Sequence, residues 1–206
     1  MIYLASRSPQ RRALIASLGC PYRVVASNVG EITHGDDPRT IVADNARAKA
    51  LDVAARAGIP VNGAIIGADT EVVVDGVVLG KPRDVEDARR MLLELSGRTH
   101  QVMTGFQILT RNRAHAGVEV AAVTMRTLSD REIDWYAATG EWRERAGGYA
   151  IQGAGAVLIS RLDGDISTVV GLPIARIAQI LIEEGLWPFD AARERHTVSE
   201  SDDALL

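Results

Sequence analysis

The sequence predicts an α/β fold. Apolar runs of strand character alternate with stretches that carry helix caps and helical periodicity, and an Asp75-Gly76 pair between two valine clusters marks a tight hairpin of primed type. With 206 residues, 47% of them apolar, the chain can bury one large core, or one domain with a small sub-lobe. Neither a linker nor a composition break divides it. The expected division is one α/β domain over residues 1–189 and a loose polar tail over 190–206, where acidic and polar residues dominate.

In chain order, Ile2 to Ala5 is a short strand. Ser8 is placed to cap a helix whose first residue is Pro9 and which stops at Gly19. Tyr22 to Ala26 is a second strand, followed by a polar connection through Glu31. Asp37 caps a helix that begins at Pro38 and ends at Gly58. The run from Ala64 to Pro82 is the central hairpin. Asp84 and Asp87 have capping-box spacing and open a helix with Ala88, Met91, Leu92 and Leu95 on one face. His100 to Thr110 and Val118 to Leu128 form an antiparallel pair. Ser129 and Glu132 open another helix, ended by Gly140, and Glu141 to Gly155 is a glycine-rich loop. Val157 to Leu162 and Asp165 to Val170 flank Asp163-Gly164 as a second hairpin, before a last helix that runs through Ile182 to Gly185.

Composition narrows the function classes. A net charge of −4 argues against general binding of a nucleic-acid polymer, and 4% aromatic residues leave few stacking platforms for single strands. Cys20 is the only cysteine, so neither an internal disulfide nor a thiolate metal cluster can form, which fits a reducing cytoplasm. No apolar span is long enough to cross a membrane.

Chemistry concentrates at a few places. Asp69 stands in an apolar strand, and an isolated carboxylate there costs several kcal/mol unless a cation compensates it; Lys81 and a divalent metal are the obvious partners. The other reading puts Asp69 at a sheet edge in water. The helix start after Ser6 offers free N–H groups beside Arg7, Arg11 and Arg12, a plausible phosphate cradle. Asn45 and Lys49, four apart, share a helix face; Lys49 either joins the pocket of Asp69 or is one more exposed helix lysine, and spacing alone favours the latter. Gln152, in a loop whose glycines admit a flat ligand, pairs a donor with an acceptor as nucleobase edges require. Glu31 and Asp69 are the expected ligands of a hard metal, since Mg²⁺ takes carboxylates together with substrate phosphates. Gly76 to Pro82 is not a P-loop: its spacing is one residue short and Pro82 stands where a Ser or Thr would hold Mg²⁺. The four histidines are scattered, so zinc and Ser-His-Asp chemistry have little support.

Six ordered blocks then carry a resemblance. Leu4-Ala5-Ser6-x-Ser8-Pro9, Gly67-Ala68-Asp69-Thr70, Leu79-Gly80-Lys81-Pro82, Leu95-Ser96-Gly97-x-x-His100-x-Val102-x-Thr104, Ala146-Gly147-x-Tyr149-x-Ile151-Gln152-Gly153 and Val170-Gly171-Leu172-Pro173 resemble the Maf family, linked by name to septum formation and made up of nucleoside triphosphate pyrophosphatases. The match runs from about Ile2 to Ile182. The resemblance implies a long twisted mixed sheet with flanking helices, two lobes and a central cleft, as in inosine-triphosphate pyrophosphatases. It implies hydrolysis of a nucleoside triphosphate to the monophosphate and pyrophosphate with Mg²⁺ or Mn²⁺, and a homodimer at the family level. Asp69 would be the general base, with Lys81, Lys49 and Glu31 beside it; Ser6, Ser8, Gln10, Arg11 and Arg12 would bind substrate, and Thr70 and Gln152 would influence which base is accepted. One departure touches specificity. Members that act on dTTP and UTP commonly carry two arginines after the Ser-Pro pair, and the first of those positions is Gln10 here. Two other functions fit the same residues: a nucleotidyltransferase, which would need an acceptor, and a nucleotide-sensing protein of cell division with little turnover.

Overall fold

The computed structural model describes residues 1–33, 35 and 37–187, so the tail expected over 190–206 lies outside it. Strands β1 (Ile2–Leu4), β2 (Tyr22–Val24), β3 (Ala64–Val74), β4 (Val77–Leu79), β5 (Thr99–Leu109), β6 (Ala114–Met125) and β7 (Ile159–Asp163) make a mixed sheet in the order β2-β1-β3-β5-β6-β7, with β4 added on β3. β1 lies parallel to β2 and β3, whereas β3, β5, β6 and β7 pair antiparallel. The helices are α1 (Pro9–Ser17), α2 (Pro38–Ala57), α3 (Val85–Leu95), α4 (Asp130–Thr139), α5 (Ile166–Val170) and α6 (Ile174–Glu183). No described helix is long and apolar enough to cross a membrane.

Local chemistry explains most of these boundaries. The Ser8 Oγ accepts from Arg11 N at 3.3 Å and Pro9 occupies the first helical position of α1. Asp75 and Gly76 both take positive φ, 49° and 80°, as a primed two-residue hairpin turn requires. Ser129 and Glu132 make both bonds of a capping box. The Asp84–Asp87 box is only half formed: Asp84 accepts from Asp87 N, but the Asp87 carboxylate reaches Arg83 N instead of its cap residue.

The second hairpin is a correction. Asp165 to Val170 does not pair with β7 but forms α5, because the Asp165 carboxylate accepts from Ser167 N at 2.8 Å and Gly171 closes the turn at φ 114°. Two ends that favour a helix outweigh the strand propensity of the residues between them.

Two apolar cores lie along the long β3–β5 pair. At one end Ala64, Ile66, Ala68, Phe106 and Ile108 pack with β1, α1 and α6. At the other, Val72, Val74 and Val102 pack with α3 and α4. Strand alternation turns Ile65 and Gly67 to the opposite face, which α2 covers. The approach is close: a Cβ on Gly67 would sit 2.3 Å from the Ala46 carbonyl, and one on Gly105 2.3 Å from that of Val42. Only glycine admits the helix at this distance.

Between the cores lies a notch. On the edge of β3 away from β5, β1 pairs with Ala64–Ile66 and β4 with Val72–Val74, so neither strand covers the residues in between. Asp69, Thr70 and Glu71 occupy that gap. Because the edge is open there, side chains from both faces of β3 reach one cleft.

Candidate active site

The cleft has a volume of about 640 Å³, within the range of small-molecule sites, and is lined by Arg11, Asp69, Glu71, Lys81, Arg145 and Gln152 among others. An adjoining hollow of about 560 Å³ runs along Ser6, Ser8 and Lys49 toward the start of α1.

Asp69 is buried, not in water at a sheet edge. Its compensating cation is Lys49, which donates to Oδ1 at 2.6 Å, while the Asn45 amide donates to Oδ2 at 2.8 Å. Lys81, the partner expected from sequence, is exposed at the cleft mouth and lies 3.5 Å from Glu144. Lys49 is therefore not a solvated helix lysine: it is 6% exposed and also donates to Glu31 Oε1 at 2.6 Å. Asn45 bonds both the N–H and the carbonyl of Ile32, which fixes the connection that carries Glu31. Burial alone would raise the Glu31 pKa, but the hydrogen bond and charge of Lys49 hold it below its ordinary value.

Arg11 joins the first loop to the far wall. Its guanidinium donates to the Gly171 carbonyl at 2.7 Å, Thr70 Oγ1 at 2.9 Å and Ser6 Oγ at 3.4 Å. Burial pulls its pKa down, against the opposing charges of Asp69, Glu31 and Glu71. Thr70 in turn bonds Thr104, whose hydroxyl donates to the Thr168 carbonyl at 2.7 Å. Gln152 lines the cleft and is exposed. Ser6, Ser8 and Gln10 sit where α1 begins, against the adjoining hollow. Arg12 points away: it is exposed and lines neither hollow, so the structure does not bring it to the site.

Sequence reasoning missed Glu71 and Arg145. Glu71 follows Asp69 by two residues, so strand alternation puts both on one face, a signal available in the sequence. Its Oε2 is buried without a hydrogen-bond partner. Burial, and then the charges of Asp69 and Glu31, push its pKa up to about 7. Arg145 had no such signal, because its loop has no periodicity.

These residues fit a divalent cation of the Mg²⁺ kind. Among the described residues no three His, Cys, Asp or Glu side chains form a ready cage. Mg²⁺ does not need one, since one or two carboxylates and the substrate's phosphates suffice. The oxygens at hand are hard, and the unpartnered Glu71 Oε2 leaves an acceptor in the cleft without a donor.

The family model described as Maf-like protein matches residues 1–184. A dTTP/UTP pyrophosphatase of Pyrococcus furiosus is 45% identical over 181 residues, covering 87% of this chain and 93% of that one. Proteins of the same name from an Anaeromyxobacter species and Bacillus pumilus are 44% and 42% identical, covering 92% and 91% of this chain and 93% and 98% of theirs. Among solved structures, the Staphylococcus aureus Ham1 protein aligns over 89% of this chain and 98% of its own with a TM-score of 0.49 and 15% identity. By the extent of the family match and the identity to these relatives, the chain belongs to the Maf-like family.

Proposed function

We propose that the chain is a nucleoside triphosphate pyrophosphatase that hydrolyses dTTP and UTP to the monophosphate and pyrophosphate, acting on the nucleotide pool of the cytoplasm. The observation that carries this reading is a buried carboxylate, Asp69, paired with Lys49 and opening on a cleft whose walls also hold Arg11 and Lys81. The names of the 41–45% identical relatives supply the substrate class.

In this mechanism a water attacks the α-phosphorus and Asp69 accepts its proton. Lys49 and Asn45 hold the carboxylate and aim it. Arg11 and Lys81 offset the charge that builds on the phosphoryl oxygens, and positioning with charge neutralisation is most of what phosphate chemistry asks of a protein. A bound Mg²⁺ or Mn²⁺, held by Asp69 and Glu31, would supply further neutralisation there. Thr70, fixed by Arg11 and Thr104, and Gln152 at the rim are the side chains that select the base.

The test incubates purified protein and Mg²⁺ with a panel of ribo- and deoxyribonucleoside triphosphates, quantifying every product. Equimolar monophosphate and pyrophosphate, fastest from dTTP and UTP, is expected. Asp69→Asn should lower kcat by about 10²- to 10⁴-fold with the fold intact. Orthophosphate release, or tight binding without product, would overturn the proposal, the latter in favour of a sensing role.

A further inference from the structure

Arg145, like Arg11, meets only neutral hydrogen-bond partners in the cleft. Lys49 is held between two carboxylates and Lys81 lies beside Glu144. The guanidinium of Arg145 instead meets a neutral group. With the Gln10 carboxamide turned so that its nitrogen donates to Ser8 Oγ at 2.8 Å, its oxygen accepts from Nη2 and Nη1 of Arg145 at 3.2 and 3.3 Å. Among the described residues Arg145 makes no ion pair, whereas both arginines of α3, Arg89 and Arg90, do. A half-buried positive charge therefore sits in the cleft without a counter-charge.

The loop presents it rigidly. Nε is anchored on the Glu141 carbonyl at 2.7 Å, and the Arg145 carbonyl accepts from Gly148 N at 3.1 Å. Glu144, just before it, has φ 60°, a left-handed conformation that a non-glycine residue holds only when its surroundings impose it. Gly147 N donates to the Gly80 carbonyl at 3.1 Å, which ties the loop to the segment carrying Lys81, and a Cβ on Gly147 would sit 2.9 Å from Val72. The guanidinium is thus delivered from one side of the cleft to the second residue of α1 on the other. There the positive end of the α1 dipole and the charge of Arg11 already favour negative charge.

We infer that Arg145 binds the phosphate chain of the nucleotide, exchanging the Gln10 carboxamide for phosphoryl oxygens when substrate enters. A planar fork that grips one neutral oxygen with two N–H groups is shaped to grip a phosphoryl group in the same way. Its role is to bind the charged end of the ligand, not the base. This inference rests on the nucleotide reading of the site, and its test separates the two.

Calorimetry with inorganic tripolyphosphate and Mg²⁺ on wild type, Arg145→Gln and Arg145→Lys reads the anion site without any turnover. Thermal melting of each variant confirms folding, and thymidine serves as a probe lacking phosphate. Tripolyphosphate affinity should fall about 10- to 100-fold in Arg145→Gln, and less in Arg145→Lys, which keeps the charge but loses the fork. Thymidine binding should not change. In turnover assays KM for dTTP should rise by the same factor, with dTTP-to-dATP preference unchanged. Unaltered tripolyphosphate binding, or equal loss for tripolyphosphate and thymidine, would overturn the inference. If wild type released no pyrophosphate, the proposed function would fail while the tripolyphosphate comparison still decided the role of Arg145. If Arg145→Gln fails to melt cooperatively, Arg145→Lys decides alone: wild-type affinity for tripolyphosphate in that variant overturns the bidentate contact.

Discussion

Asp69 and Lys49 meet at 2.6 Å with side chains 7% and 8% exposed, so each is the other's main compensation for burial. Removing one partner is worse than never having had the pair, because the survivor stays charged in an apolar setting. Lys49→Met should destabilise the protein by about 3–5 kcal/mol and, by removing the hydrogen bond and charge that hold the Glu31 pKa down, favour protonation of Glu31. Urea unfolding checks the first effect, and a shift of the acid limb of the pH–rate profile to higher pH checks the second. A loss under 1 kcal/mol would mean that Asp69 draws its support from elsewhere. The sequence showed that position 69 needed a cation but not which one. Helix spacing put Asn45 and Lys49 on one face, yet only the docking of α2 on β3 says which face that is, and that docking is a tertiary event.

That docking depends on two glycines that a strand pattern would have filled. Gly67 on β3 and Gly105 on β5 face α2, and a Cβ on either would press on a helix carbonyl at 2.3 Å. Backbone cannot yield as a flexible side chain can, so α2 would have to lift, drawing Asn45 and Lys49 off Asp69. Gly67→Ala should cost about 1–3 kcal/mol and also lower kcat, whereas the same change at Gly76 in the exposed turn should leave kcat unchanged. Equal activity in the two variants would sink the argument. The same elements show what the sequence could and could not disclose. Caps and turn dipeptides act over a few residues, so Ser8, Asp37, Asp75-Gly76 and Ser129 were readable in advance. In Asp165 to Val170 the β-branched residues speak for a strand, while the bonds that decide for a helix lie at its ends. The notch at Asp69–Glu71 could not be read at all, since it depends on where β1 stops and β4 begins along one strand.

Two titratable groups removed from water, the buried His100 and the half-buried Glu71, respond to acid with opposite sign. His100 is 2% exposed, its Nε2 shares a 2.7 Å hydrogen bond with the Tyr149 hydroxyl, and burial pushes its pKa down from 6.5 to about 4. The unfolded chain then binds a proton that the folded chain refuses. His100 contributes stability that is full above pH 6.5 and is lost as the pH falls toward 4. Glu71 runs the other way: its pKa is raised from 4.5 to about 7, so its contribution is full below pH 4.5 and is lost as the pH rises through 7. Between pH 7 and 4.5 each term changes by about 2–3 kcal/mol, and they offset one another. The wild-type protein without metal or nucleotide should therefore show a nearly level stability across this window. Glu71→Gln should lose stability on acidification and His100→Gln should gain it, each by about 2–3 kcal/mol relative to wild type. Urea midpoints at half-unit pH steps read both slopes. If both variants tilted the same way, or neither did, the burial of these two groups would not be setting the acid response of the fold.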